Sequence, residues 1–193
     1  MANKLMEVYR MNMEVKKDVS PQKQMTIALD NYLALSSVLQ ADMSALLDCE
    51  TGTQHWRRNF IRVSASLIEG YAHCLRELCA VSFKCSTVPK LNKKEIKVIE
   101  SEKEFSAVDR IKVSLRTAYK LFELTPAPDF GNRKNASCLW EKRNGLMHPK
   151  TPADLELADV SWNKLYDAVV CLMEQLFKFF SLLQEKYLGC PQS

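Results

Sequence analysis

Residues 58–79, with the sequence RNFIRVSASLIEGYAHCLRELC, decide the fold that we expect for this chain. Their apolar residues recur three and four positions apart, which is the spacing of one face of an α-helix. The stripe consists of Phe60, Val63, Leu67, Tyr71, Cys74 and Leu78, and it is widened by Ile61, Ile68, Leu75 and Cys79. The pattern predicts a long helix, from about Gln54 to Phe83, that packs its apolar side against other helices.

The other side of this predicted helix is a polar row of residue types that are common in catalytic sites. The row consists of Arg58, Arg62, Ser66, Glu69, His73 and Arg76. One interpretation is a solvated helix face held by pairs four residues apart, such as Glu69 and His73. The other is that Ser66 or Glu69 faces a functional groove and orients the residues in it. In both interpretations His73 is a surface residue.

Two further stretches on either side of this helix have helical spacing. Ser20 and Pro21 are a good helix start, because Ser accepts bonds from the first N–H groups and Pro fits the first turn. They open a predicted helix that runs to about residue 48. Another helix is predicted over residues 105–122, and the turn that contains Pro126 ends it.

Two charged stretches carry no clear apolar stripe. Residues 1–19 are rich in Met and in charge, so we expect a partly ordered lead-in, followed by one helical domain over residues 20–193. Residues 84–104 form a Lys- and Glu-rich connection that has room for a short helix. Such a charge run is usually solvated, although its lysines could also contact the backbone of a polyanion.

The C-terminal part of the chain predicts a short helix over about 134–147 and then a long final helix. Thr151 to Asp154 match the pattern of an N-terminal capping box and therefore predict that the final helix begins there. The final helix has two apolar ridges. The first ridge is Leu165, Val169, Leu172, Leu176, Phe179 and Leu183, and the second is Tyr166, Val170, Met173, Phe177 and Phe180. Either it packs inside a bundle and against a partner subunit, or it is the central helix of a monomer.

Composition favours a single all-α domain. The chain has 193 residues, of which 47% are hydrophobic, and this is enough for a real core. Only 5 Gly and 7 Pro are present, which favours helices. The net charge of +4 permits nucleic-acid binding but does not predict it, because 23 acidic residues offset 27 basic ones.

The cysteine pattern and the short apolar runs predict a cytoplasmic protein. The 7 cysteines are scattered and form no C-x-x-C pair, which is typical of reduced and mostly buried thiols rather than of a zinc site or disulfides. The most apolar run, 168–173, is far shorter than a membrane helix. No apolar core follows the first charges, so we expect no signal peptide. The acidic residues show no metal-site spacing, and we expect no cofactor.

Residues 140–149, with the sequence WEKRNGLMHP, carry the residues with the clearest chemistry. Arg143 offers a permanent charge and a planar fork of donors that suits phosphate. His148 can both accept and donate a proton near neutral pH. Pro149 predicts that the helix ends near His148, because the residue before a proline is pushed out of the helical conformation. Asn144 lies four residues before His148 and could orient its imidazole.

An all-helical chain with this arrangement resembles the HEPN superfamily, whose members carry an Arg-polar-x-x-x-His motif near the end of the penultimate helix. Arg143, Asn144 and His148 match that motif, and residues 62–71 are similar to the second helix of many members. The resemblance implies a four- to five-helix up-and-down bundle. It also implies a homodimer, formed through the motif-bearing and final helices, in which two motifs share one composite active site.

The resemblance implies a metal-independent endoribonuclease from a bacterial toxin–antitoxin or anti-phage system, restrained by an antitoxin or a sensor protein. His148 would move the proton of an RNA 2′-hydroxyl, Arg143 would stabilise the transition state, and Asn144 would position His148 or the phosphate. The products would be a 2′,3′-cyclic phosphate and a 5′-hydroxyl. Lys142, Lys150 and Arg62 are the candidates to contact the RNA backbone, and Glu69 and Ser66 to orient the catalytic residues.

A non-catalytic interpretation of the same residues stays open. Some members of the superfamily bind nucleotide, RNA or a partner protein without cleaving anything. His148 would then be an imidazole that caps the C-terminus of its helix, and Arg143 would be an ordinary surface cation.

Overall fold

All regular structure in the described part of the chain is helical. The computed structural model describes residues 20–49, 51–85, 91–101, 105–130 and 133–188. The helices are α1 (Pro21–Leu47), α2 (Gln54–Cys85), α3 (Lys93–Glu100), α4 (Ala107–Leu121), α5 (Arg133–Met147) and α6 (Asp159–Leu188), with a 3-10 turn (Pro152–Leu155) between α5 and α6. The all-α prediction is confirmed for these residues, while the predicted lead-in over residues 1–19 lies outside them.

The described residues hold six α-helices rather than four or five, because the charged connection contributes a short one. Helix α3 begins with a capping box, in which the Asn92 side chain accepts bonds from the backbone N–H groups of Lys94 and Glu95, and the Glu95 carboxylate accepts a bond from the Asn92 N–H. Glu95 is buried and also pairs with Lys120 of α4. This pair fastens the short helix to the rest of the molecule.

The start of the final helix differs from the prediction. The Asp154 carboxylate does accept bonds from the backbone N–H groups of Lys150 and Thr151, but the turn that it closes is the 3-10 turn. Helix α6 begins only at Asp159, because Leu157 is fully buried and exchanges two backbone bonds with the Gln54 side chain of α2, each 2.9 Å long. These tertiary bonds hold the chain extended between the turn and the helix.

Helix α2 is the centre of the fold and contacts every other helix. The predicted apolar stripe of α2 is buried except for Val63, which is half-buried. The first ridge of α6 is also buried, from Leu165 to Leu183. The second ridge is only partly buried: Phe180 is buried, whereas Tyr166 is 43% exposed and Phe177 is 36% exposed. The central position therefore belongs to α2, and α6 keeps a partly exposed apolar strip.

Helix α1 packs closely on α2 at Gly70. A Cβ atom at this position would lie 2.8 Å from Leu39 Cδ1 and 3.1 Å from Leu35 Cδ2, so a larger residue would force these two side chains of α1 to shift. Ser20 caps α1 as predicted, with its hydroxyl accepting a bond from the Lys23 N–H at 3.4 Å. The helix ends at Leu47, one residue before the predicted end.

The cysteines in the described part of the chain are free and only partly fit the expectation of buried thiols. Cys74 and Cys79 are buried, and burial raises the pKa of both thiols. Cys49 and Cys138 are exposed, and Cys171 is intermediate. Burial therefore protects the two cysteines of α2 and leaves Cys49 and Cys138 accessible.

Candidate functional site

Arg143 lies in the last full turn of α5, and its guanidinium is held by two neighbours. Nη2 donates to Glu69 Oε2 of α2 at 3.1 Å, and Nη1 donates to Asn144 Oδ1 at 3.1 Å. The Arg143 side chain is 26% exposed and that of Glu69 is 42% exposed, so solvent and solutes reach the pair. The guanidinium is thus oriented while part of its surface stays open.

Glu69 makes a second bond to the same helix, from its other oxygen. Trp140 Nε1 donates to Glu69 Oε1 at 3.2 Å, and Trp140 itself is buried. Trp140 and Arg143 lie three residues apart and therefore on one face of α5. One carboxylate of α2 thus fixes both the register and the rotation of the helix that carries the motif.

The polar row of α2 combines parts of both interpretations. Glu69 faces the motif, as the second interpretation expected, and the bonds of its two oxygens to α5 replace the expected pair with His73. Ser66 is exposed, and no bond joins it to the motif in the described structure. His73 is exposed, as predicted, and its Nδ1 lies 3.2 Å from Nη2 of Arg76. The sequence did not predict this contact.

His148 directly follows the last residue of α5, which confirms that the helix ends where Pro149 requires. The backbone N–H of His148 donates to the Asn144 carbonyl at 3.0 Å, and its side chain is exposed. The side-chain bond of Asn144 goes to Arg143 and not to the imidazole. Asn144 therefore orients the guanidinium, and the backbone positions His148.

Three arginines of α2, which we call the arginine row, bond to the chain before and after His148. The row consists of Arg57, Arg58 and Arg62. Arg62 Nη2 donates to the Leu146 carbonyl at 2.8 Å, at the C-terminal end of α5, where a cation is favoured. Arg58 donates to the Leu155 carbonyl at 3.2 Å, and Arg57 donates to the Leu157 carbonyl at 2.9 Å.

Arg62 has a structural role that the sequence did not suggest. Its contact with the RNA backbone stays a prediction, while one arm of its guanidinium bonds to the end of α5. Arg57 also pairs with Asp159 at 2.6 Å, at the start of α6. The row therefore positions the chain on both sides of His148. The spacing of Arg58 and Arg62, four residues apart, was the available signal for a shared role.

Charged groups flank the motif on its exposed side. Lys142 is half-exposed and Lys150 is exposed. Asp154 is the nearby acid: the backbone N–H groups of Lys150 and Thr151 lower the pKa of its carboxyl below the usual range, and the charge of Lys142 adds to this effect. This carboxylate fixes the turn immediately after His148.

Three observations bear on the other expectations. No group of three or more His, Cys, Asp or Glu residues within the described ranges is arranged to hold a metal ion. No helix in that part of the chain is both long and apolar enough to cross a membrane. No protein-family model, curated protein or solved structure matches this chain.

Proposed function

We propose that this protein is a metal-independent endoribonuclease of the HEPN type, with Arg143 and His148 as its catalytic residues and Asn144 as the residue that positions Arg143. One observation carries the proposal: a guanidinium oriented by Glu69 lies on the last turn of α5, and an exposed imidazole follows at the end of the same helix. A phosphate-binding fork and a proton-transfer group are the two functions that cleavage of RNA at its own 2′-hydroxyl requires.

The proposed reaction is an internal transfer of the phosphate. His148 takes the proton of the 2′-hydroxyl, the 2′-oxygen forms a bond to phosphorus, and the bond from phosphorus to the 5′-oxygen breaks. The departing 5′-oxygen receives a proton, so the products are a 2′,3′-cyclic phosphate and a 5′-hydroxyl. Arg143 stabilises the negative charge on the phosphate in the transition state. DNA has no 2′-hydroxyl and is not a substrate.

The reaction needs one group to accept a proton and another to donate one, and each chain supplies a single motif histidine. We propose that a second copy provides the other imidazole, which makes the active site composite. The surface beside His148 supports this, because the adjacent Met147 is 47% exposed. The half-exposed strip of α6 that contains Tyr166 and Phe177 offers further apolar area to a partner.

RNA would approach over the exposed side of the motif, where Lys142 and Lys150 lie. Their charges suit a polyanion, and the contact would weaken as salt is added. Such an enzyme would damage its own cell if it were always active. An antitoxin or sensor protein that covers this surface, in a toxin–antitoxin or anti-phage system of a bacterium, is therefore part of the proposal.

A non-catalytic binding module is the second candidate, and one observation favours it. The charge of Arg143 is already paired with Glu69, and Asn144 takes a second arm of the guanidinium. A phosphate would have to compete with this carboxylate. However, the pair is partly exposed, and such pairs contribute only about 0.2–1 kcal/mol, so a bound phosphate can outcompete or share it.

The experiment that separates the two candidates is incubation of the purified protein with total RNA in EDTA, followed by analysis of the fragment ends. We expect the wild type to produce cyclic-phosphate ends. His148→Ala should lose about 10²–10⁴ in rate, because it removes a proton-transfer group. His55→Ala is the matched control, since His55 is an exposed histidine in the first turn of α2.

The pattern of cleavage by the three proteins distinguishes the ribonuclease from the binding module. Cleavage by the wild type and by His55→Ala, but not by His148→Ala, supports the proposal. Equal cleavage by the wild type and His148→Ala would show that another residue or a contaminant cuts the RNA. Intact RNA in all samples, with binding measured in the same buffer, would favour the binding module. Inhibition by EDTA, seen on comparison with an EDTA-free sample, would point to a metal-dependent mechanism.

A further inference from the structure

A shallow apolar groove runs along the surface of α2 between α1 and α6. At one end Tyr32 of α1 stacks on Phe180 of α6, with ring centroids 3.8 Å apart. At the other end Trp56 of α2 donates to the Leu46 carbonyl of α1 at 3.0 Å and contacts the ring of Trp162 of α6. We call the surface between these two ends the α1–α6 groove.

Buried aromatic residues of α2 form the floor of the α1–α6 groove. Tyr166 of α6 stacks on Phe60, with ring centroids 5.5 Å apart, and Phe177 of α6 meets the ring of Tyr71 edge-on at 5.4 Å. Gln40 of α1 donates to the Tyr71 hydroxyl at 2.8 Å. These contacts fix which side of α1 and which side of α6 face the groove.

Large apolar side chains on both of these sides are exposed. Leu33 and Leu47 lie seven residues before and after Gln40, which is about two helical turns, so they share its side of α1. They are 50% and 54% exposed. With Tyr166 and Phe177 they make four of the nine exposed large hydrophobic residues in the described part of the chain. Because four of the nine border one groove, the groove is a candidate binding surface.

The rim of the α1–α6 groove is acidic. Asp30 on α1 and Glu174 on α6 each lie three residues before an exposed apolar residue of the groove, and therefore beside it. Asp167 lies seven residues before Glu174 and shares its row. All three are exposed, and none of them forms an ion pair in the described structure. Lys178 is the exposed cation on this side of α6, so three carboxylates outweigh one lysine.

This charge decides which kind of occupant fits the groove. The carboxylates repel a polyanion such as RNA, and a second copy that presented the same groove would bring like charges together. A cationic protein surface is attracted instead. Two helices side by side on a third offer a slot to an amphipathic helix. From Leu33 to Leu47 the slot is about 21 Å long, which is about four helical turns.

We propose that the α1–α6 groove binds an amphipathic α-helix of another protein, with apolar side chains on its inner face and Lys or Arg on both flanks. Its apolar side chains cover the four exposed residues of the groove, and its cations meet the three carboxylates of the rim. The groove is separate from the motif. Tyr71 and Glu69, which bonds to Arg143, are two residues apart and point about 160° away from each other. The surface beside His148 thus stays open to a second copy.

The test is fluorescence anisotropy of two labelled synthetic peptides, each of about 18 residues, a length chosen to span the groove. Both carry leucines three and four positions apart, flanked by lysines in one peptide and by glutamates in the other. Each is titrated with the full chain in the absence of RNA. Leu33→Lys and Asp30→Lys alter the groove. Their matched controls are Val38→Lys and Asp42→Lys, exposed residues on the other side of α1.

We expect the lysine peptide to bind the wild type, with an affinity that falls as salt is added, and the glutamate peptide not to bind. Leu33→Lys should weaken binding about tenfold or more, because it places a charge in the apolar contact. Asp30→Lys should weaken it about threefold or more, because attraction becomes repulsion. The two control variants should bind like the wild type. Circular dichroism of each variant verifies the fold.

Several results would overturn the proposal. These are equal binding of the two peptides, no binding of the lysine peptide at submillimolar protein, or equal binding by Leu33→Lys and Val38→Lys. Sedimentation of the same variants tests a second copy: a dimer lost in Leu33→Lys but kept in Val38→Lys assigns the groove to it instead. Displacement of the lysine peptide by a peptide of residues 1–19 assigns the groove to the chain itself. Because no RNA is present, each result holds whether or not the protein cleaves RNA.

Discussion

Substitutions of Glu69 should distinguish how much each of its two bonds to α5 contributes to the stability of the fold. Glu69→Ala removes the pair with Arg143 and the acceptor of Trp140 Nε1. Glu69→Gln removes only the negative charge, because the amide oxygen can still accept from Trp140. The two variants therefore compare an ion pair with a hydrogen bond at a single position.

The exposure of each bonded side chain sets the expected size of these stability changes. The Arg143–Glu69 pair is partly exposed, at 26% and 42%, so its loss should cost about 0.2–1 kcal/mol. Trp140 is buried, and a buried N–H group left without a partner costs about 1–3 kcal/mol. We therefore expect Glu69→Gln to lower the free energy of unfolding by less than about 1 kcal/mol and Glu69→Ala to lower it by about 1–4 kcal/mol, the sum of the two costs.

Urea unfolding followed by tryptophan fluorescence measures these changes, because Trp140 lies at the bond in question. Glu77→Gln is the control, since Glu77 is an exposed glutamate on the same helix. A double-mutant cycle of Glu69→Gln with Arg143→Ala isolates the pair, and its coupling should be about 0.2–1 kcal/mol. Zero coupling, or Glu69→Ala as stable as the wild type, would refute the role given to this carboxylate.

The same variants test whether Glu69 positions Arg143 for catalysis. If the protein cleaves RNA as proposed, a guanidinium without its carboxylate loses orientation but keeps its charge. We expect kcat to fall about tenfold or more, because a small misplacement of a catalytic group is costly. KM should not rise, since an unpaired guanidinium still attracts phosphate. A purely structural role for Glu69 would not produce this split between kcat and KM.

Three further predictions concern the frame around the motif. Arg62→Ala should lower the free energy of unfolding, measured by urea denaturation, by about 1.5–3 kcal/mol, because it removes a charged donor to the Leu146 carbonyl at the end of α5. An unchanged free energy of unfolding would show that water replaces this bond. Gly145→Ala, with open space around it, should stabilise by up to about 1 kcal/mol in a thermal melt, and Gly70→Ala should gain less, because its Cβ would lie 2.8 Å from Leu39 Cδ1 and would force that side chain to shift. The Asp154 carboxyl has a lowered pKa, so its contribution to stability is present above the pKa of an unfolded Asp and is lost as pH falls through the folded value. In NMR, the amide signals of the residues bonded to Asp154 should titrate below the pKa of a free Asp and should not titrate in that range in Asp154→Asn.

Sequence patterns predicted the helices and their ends well where the residues that determine them lie close together in the sequence. The apolar stripe of α2 and the stop before Pro149 depend on neighbours within a few residues, and the structure has both. The start of α6 could not be read in this way. Thr151 to Asp154 form the predicted box, yet bonds from Gln54, about a hundred residues away in sequence, hold the chain extended after it.

The polar row of α2 was ambiguous for a related reason. Helical spacing tells which residues share a face, but it does not tell which polar positions another helix covers. Helix α5 covers Glu69 and leaves Ser66 and His73 exposed. Burial of Trp140, whose N–H needs an acceptor, selects the carboxylate. No pattern within either helix alone contains that information.

If the protein cleaves RNA as proposed, the pairing of Arg143 is compatible with both catalysis and a stable fold. An arginine with no partner would be free to rotate, and a fully buried pair would hold its charge away from the substrate. Here Glu69 fixes one edge of the guanidinium, Asn144 takes a second arm, and partial exposure keeps the pair weak. A phosphate that reaches the open surface then meets donors that are already oriented, which is the condition for electrostatic stabilisation of a transition state. The bonds that Arg143 donates to Glu69 and Asn144 would therefore hold it in the orientation that the proposed reaction needs.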